Sequence, residues 1–129
     1  MAAPIFHMID GAPDPVAPFS HAVEADGWVF VTGQMPFIGT ANDSPYPDGI
    51  EAQTRQALAN LAAVLTTAGS SVAKVVKTTI FLADMADFAK VNTLYSEVFA
   101  AEPPARSTVQ VAALPLGGLV EIEVIALID

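Results

Sequence analysis

The 129-residue sequence predicts an α+β domain: a mixed sheet of about six strands with two helices packed on one face. Two observations predict the class. Two stretches carry apolar residues at helical spacing, and β-branched or aromatic runs surround and separate them. The resulting order is strand, hairpin, helix, strand, helix, strand, strand. A third observation concerns the surface. Hydrophobic residues make up 53% of the chain and charged residues 15%, against a typical charged share of about 25%. A single core consumes less apolar surface than this, so the sheet face opposite the helices is expected to meet a second subunit. The length suits one domain spanning residues 1–129.

The elements follow in order. A short strand at Ile5 to Ile9 opens the chain. Gly11 to Pro18 holds three prolines in eight residues, which feed neither a helix nor a central strand. Ser20 to Glu24 and Trp28 to Thr32 flank Asp26-Gly27, and an Asp-Gly pair between extended runs signals a type I′ hairpin. Thr32-Gly33-Gln34 ends the second hairpin strand, and Met35 to Asp48 reads as a loop. Gly49 to Ala68 reads as a helix with Ile50, Ala57, Leu58, Leu61, Ala62 and Leu65 in its apolar stripe and Gly69 as a left-handed cap. Lys74 to Leu82 is strand-like in composition. Met85 to Ala100 forms the second helix, with Asp84 as N-cap and Phe88, Val91, Tyr95, Val98 and Phe99 as its buried face. Pro103-Pro104 stops it. Arg106 to Ala113 and Leu119 to Ile128 form the last two strands.

Charge and composition exclude several functions. Five Lys+Arg against 14 Asp+Glu give a formal charge of −9. Nucleic-acid backbones and anionic membranes require clustered cations, so neither is an expected partner. The absence of cysteine removes disulfide, thiolate and zinc-thiolate chemistry. No apolar run reaches the roughly 18 residues of a membrane span, and Met1 to His7 lacks a basic segment ahead of an apolar one. The expected location is therefore cytoplasmic. His7 and His21 lack partners at metal-ligand spacing, and no phosphate loop or Ser/His/Asp constellation is present.

The candidate chemistry lies in the last two strands. Alternation places Arg106, Thr108 and Gln110 on one face of theirs, and Glu121 and Glu123 on one face of the next, beside Ile125 and Leu127. Carboxylates on so apolar a strand are expensive to bury and call for compensation. Arg106, at the start of the strand expected to lie alongside, would supply it. One reading is a structural Arg106–Glu ion pair. The other is a small-acid pocket in which the guanidinium grips a carboxylate and a Glu handles a proton or a water. The glycine of Thr32-Gly33-Gln34 either ends a strand or lets a ligand approach the backbone. Asn92 is a polar position on the second helix.

The run Pro104-Ala105-Arg106-Ser107, Val109, Leu114-Pro115 and Val120-Glu121-Ile122-Glu123 resembles the signature of the YjgF/RidA family, the enamine/imine deaminases formerly called endoribonuclease L-PSP. Thr32-Gly33-Gln34, Gln53 to Leu58 with Asn60-Leu61, Val76 to Leu82, and Phe88 to Asn92 with Tyr95 and Phe99 are similar to further blocks of that family, in its order. The resemblance implies a chorismate-mutase-like fold, and a homotrimer whose sheets line a central barrel with pockets at subunit interfaces. It implies hydrolysis of small 2-imino or 2-enamino acids to 2-oxo acids and ammonia, without metal or cofactor. Carried onto this chain, Arg106 would clamp the substrate carboxylate and Glu121 would orient water or shuttle its proton. Phe19, Thr32, Gly33, Asn92 and Thr108 would line the pocket. Two positions depart from the family pattern: Phe19 stands where a pocket Tyr is usual, and Thr108 where Cys is frequent. His21 alternates with Phe19 toward the pocket, and the Phe37 to Asp48 loop is long. These departures leave a second reading, a non-catalytic module that binds a small carboxylate and regulates a partner enzyme. Ribonuclease activity, suggested by the older family name, fits poorly with the charge.

Overall fold

The computed structural model describes residues 3–39 and 46–128. Six strands form one mixed sheet: β1 (Ile5–His7), β2 (Ala22–Ala25), β3 (Trp28–Gln34), β4 (Val75–Leu82), β5 (Ala105–Gln110) and β6 (Val120–Leu127). Helices α1 (Gly49–Thr67) and α2 (Phe88–Val98) pack on one face. The spatial order is β1-β2-β3-β6-β4-β5. All pairs are antiparallel except β4–β5, which is parallel. A parallel pair needs a long crossover, and α2 supplies it.

Local chemistry sets the element ends. Asp26 and Gly27 take φ of 50° and 83°, the left-handed pair that a type I′ turn demands, and Ala25 faces Trp28 across it. At the end of α1, Gly69 sits at φ 89°, while the Ser70 and Gly69 amides donate to the carbonyls of Leu65 and Thr66. This is a Schellman cap.

Alternation along β6 places Val120, Ile122, Val124 and Ala126 in the core with Leu61, Leu65, Ile80 and Leu82. The other face of the sheet is uncovered in the single chain. Its large apolar side chains include Phe6, Trp28, Phe30, Val109 and Leu127, each at least 40% exposed. No helix among the described residues is long and apolar enough to cross a membrane.

Several expectations are corrected. The strand beginning at Arg106 does not neighbour β6: the parallel crossover sends β5 to the sheet edge, and β4 lies between them. β5 also stops at Gln110, where Val111 still bonds to the Leu82 carbonyl but the ladder ends. β1 stops at His7 rather than Ile9, because the Ile9 amide turns to the His21 ring. The second helix opens as a 3₁₀ turn (Met85–Asp87), and Asp84 caps that turn by accepting from the Ala86 amide. Phe88 and Val98 are exposed, because α2 faces the sheet through Val91, Leu94 and Tyr95. Ala62 on α1 is only half-buried, its place in the stripe taken by Val64. Of the long loop, residues 40–45 lie outside the described residues, Pro45 among them; Met35 and Tyr46 at its ends are buried.

Candidate functional site

The residues singled out by sequence fall into two groups on opposite faces of the sheet. Register decides this. Arg106 pairs with Thr78 and Thr108 with Ile80, and both partners are buried beneath the helices. Glu121 pairs with Phe81, which pairs in turn with Val109, on the uncovered face. Among the described residues no carboxylate lies within ion-pair distance of Arg106. The structural Arg106–Glu pair is therefore not formed within the chain.

The first group surrounds Arg106. Its Nη2 donates to Asn92 Oδ1 at 2.6 Å, linking the edge strand to α2. Its guanidinium carbon lies 4.8 Å from the Tyr95 ring centre and 5.4 Å from that of Phe88. A cation over aromatic rings is held without being neutralised. The exposed position of Phe88 has its explanation here. Tyr95 is fixed in turn by a 2.8 Å hydrogen bond between its hydroxyl and Thr78 Oγ1. Burial pushes the Tyr95 phenol upward, against the lowering effects of that bond and of the Arg106 charge. Two residues along β5, Thr108 Oγ1 is buried with no hydrogen-bond partner among the described residues. A guanidinium that keeps donors beyond its bond to Asn92 can grip an anion.

The second group surrounds Glu121. Gly33 lies against it so closely that a Cβ there would sit 2.7 Å from Glu121 Cδ, so only glycine leaves room for the carboxyl group. Burial, and secondarily the charge of Glu123, hold the Glu121 carboxyl above the ordinary glutamate range. Phe19, His21, Thr32, Gly33 and Glu121 line one cavity of about 210 Å³, with Val16, Met35, Phe37 and Pro115 among its apolar walls. Thr32 Oγ1 donates to the Ser20 carbonyl at 2.5 Å. The His21 ring accepts from the Ile9 amide at Nδ1 (2.7 Å) and donates from Nε2 to the Pro13 carbonyl (2.8 Å).

Tyr46 was not among the sequence candidates. It stacks edge-on against Phe37, lies close to Gly118, and has a buried hydroxyl with no partner among the described residues. Burial and the negative charge of Glu121 both raise its phenol. Only its place between Pro45 and Pro47 marked it in the sequence, and that pattern signals a turn rather than chemistry. No cluster of three or more His, Asp or Glu capable of holding a metal occurs among the described residues.

Residues 9–128 match the family model for endoribonuclease L-PSP. The chain belongs to the YjgF/RidA family. A RutC family protein of Pyrococcus horikoshii is 44% identical over 117 residues, covering 91% of this chain and 92% of that protein. The mouse protein named 2-iminobutanoate/2-iminopropanoate deaminase is 44% identical over 115 residues, covering 89% and 84%. The crystal structure of RidA from the Antarctic bacterium Psychrobacter sp. PAMC 21119 superposes with a TM-score of 0.86 at 39% identity, covering 94% and 97%. In this RidA-family member the two charged residues singled out by sequence, Arg106 and Glu121, lie on opposite sheet faces.

Proposed function

We propose that the protein hydrolyses small 2-imino or 2-enamino acids to 2-oxo acids and ammonium, at a site shared between two copies of the chain in a homotrimer. The observation that carries this reading is the separation of Arg106 from Glu121. Each lies in a half-built site: a cation with an orphaned hydroxyl on one face, and a carboxyl group at a cavity on the other. The exposed apolar side chains of the uncovered face give a second copy its seat. The names of the relatives support the reaction class.

In this reading Arg106, aimed by Asn92 and stacked on Tyr95 and Phe88, binds the substrate carboxylate through its free donors, and Thr108 adds a hydrogen bond. Thr32, Gly33 and Glu121, all of the neighbouring copy, face the reacting carbon. A protonated imine carbon is already electrophilic, so water suffices as nucleophile. Glu121 orients the water and takes its proton as the C–O bond forms. It returns that proton to the nitrogen, then takes the carbinol hydroxyl proton as the C=O bond forms and the C–N bond breaks, and passes it to the departing ammonia to give ammonium. The net change is iminium acid plus water to 2-oxo acid plus ammonium. Most of the rate enhancement comes from holding water and carbon in line. A carboxyl with an elevated pKa suits a group that must both take and return a proton near neutrality.

The test is release of 2-oxobutanoate from a threonine dehydratase reaction with and without the protein. The protein should accelerate release and Arg106→Ala should abolish the acceleration. No acceleration, together with ligand-induced shifts in Tm, would instead establish a binding module.

A further inference from the structure

We infer that the Glu121 cavity selects substrates with an aromatic or branched apolar side chain. This deepens the deaminase reading, which supplies the reacting end of the substrate, and concerns the end that extends away from Arg106. The cavity's side-chain donors are already committed. Both His21 nitrogens, Thr32 Oγ1 and Gln34 Nε2 are engaged with backbone groups, and Asp14 also has a partner. Gln34 Oε1 and Glu121 remain, both of them acceptors, and the reaction uses Glu121. A carboxylate side chain placed here would lose its water and would face acceptors and the Glu121 carboxyl group rather than a donor.

The apolar walls point the same way. Val16 and Phe19 stand 73% and 43% exposed at the cavity in the single chain, and the buried Met35 also lines it. Exposed apolar groups around a concavity gain free energy only when something apolar covers them. The volume of about 210 Å³ exceeds by more than tenfold the roughly 10–15 Å³ that one water requires. A methyl or ethyl group leaves much of it wet. Each further buried methylene strengthens binding about fourfold.

The test compares imines generated in place by an amino-acid oxidase from leucine, phenylalanine, 2-aminobutyrate and glutamate. The leucine- and phenylalanine-derived imines should show kcat/KM at least about tenfold above the 2-aminobutyrate-derived one, with the glutamate-derived imine lowest. A flat or reversed order overturns the inference, including the case in which a second subunit fills the cavity. Thermal shifts with 4-methyl-2-oxopentanoate, phenylpyruvate, 2-oxobutanoate and 2-oxoglutarate provide a readout independent of turnover. If apolar acids raise Tm most while no imine is hydrolysed, the cavity assignment stands and the deaminase reading falls. If imines are hydrolysed without apolar preference, the reverse holds. Val16 is solvent-exposed on a loop, so Val16→Lys should fold and should collapse the leucine-to-glutamate ratio. An unchanged ratio removes Val16 from the wall and overturns the assignment.

Discussion

A single methyl group at position 33 should separate folding from function. Gly33→Ala places a carbon where Glu121 Cδ now lies, and the flexible carboxylate side chain is the part free to move. The expected outcome is a fall of about tenfold or more in kcat/KM with a small change in Tm, because the displaced group is the one proposed to face substrate. Glu121→Gln tests the other member of the pair. The folded chain holds the Glu121 proton more tightly than the unfolded chain does, because the raised pKa comes from burial. Stability from that group is therefore fully present below the ordinary glutamate pKa of about 4.3 and is lost as pH rises through the elevated value. The glutamine variant, lacking this loss, should be inactive yet melt above wild type at neutral pH, and the difference should vanish in acid. Paired melting curves at pH 4 and pH 7 check both limbs. Arg106→Lys keeps the charge but not the planar fork that meets Asn92 and the two rings. It should cost about two orders of magnitude in kcat/KM.

At the scale of elements, the segment from Ile9 to Phe19 has no regular structure, yet it forms much of the cavity wall. His21 pins it at two points from the start of β2. His21→Ala should destabilise the fold by about 2 kcal/mol, one hydrogen bond lost outright and one buried amide left unpaired. Urea titration measures this, and KM should rise more than kcat falls, because the loosened wall touches substrate rather than the reacting carbon. This pin was illegible in the sequence, since it joins a ring to two backbone groups across a proline-rich stretch that no periodicity describes. The hairpin, both helices and the final strands were legible because Asp26-Gly27, the Leu58–Leu61–Leu65 spacing and the alternation of β6 are local signals. Strand neighbours were not: the placement of β4 between β5 and β6 follows from the crossover through α2. Pattern alone correctly put Arg106 with Thr108, and Glu121 with Glu123. It could not show that the two pairs face opposite ways. The Tyr46 hydroxyl escaped notice for a related reason, since its proximity to Glu121 is purely tertiary.

For the whole molecule, the placement of Arg106 and Glu121 sets a test that a single-chain site cannot pass. In the proposed closed ring each interface would bring the Arg106 face of one copy to the Glu121 face of the next. Arg106→Ala and Glu121→Gln, each inactive alone, should therefore complement when unfolded together and refolded as an equal mixture. An interface is competent only when the copy supplying arginine carries the Glu121 change and its neighbour carries the Arg106 change. Random assembly makes about one interface in four competent, so activity should recover to about a quarter of wild type. The same preparation should sediment as a trimer, with Phe30 and Trp28 no longer exposed. Replacing Phe30 by Lys should charge the apolar face, leave a soluble monomer with the fold intact by circular dichroism, and abolish complementation together with activity. Recovery of activity in that monomer would place both charged groups in one chain's site, which the strand register does not allow.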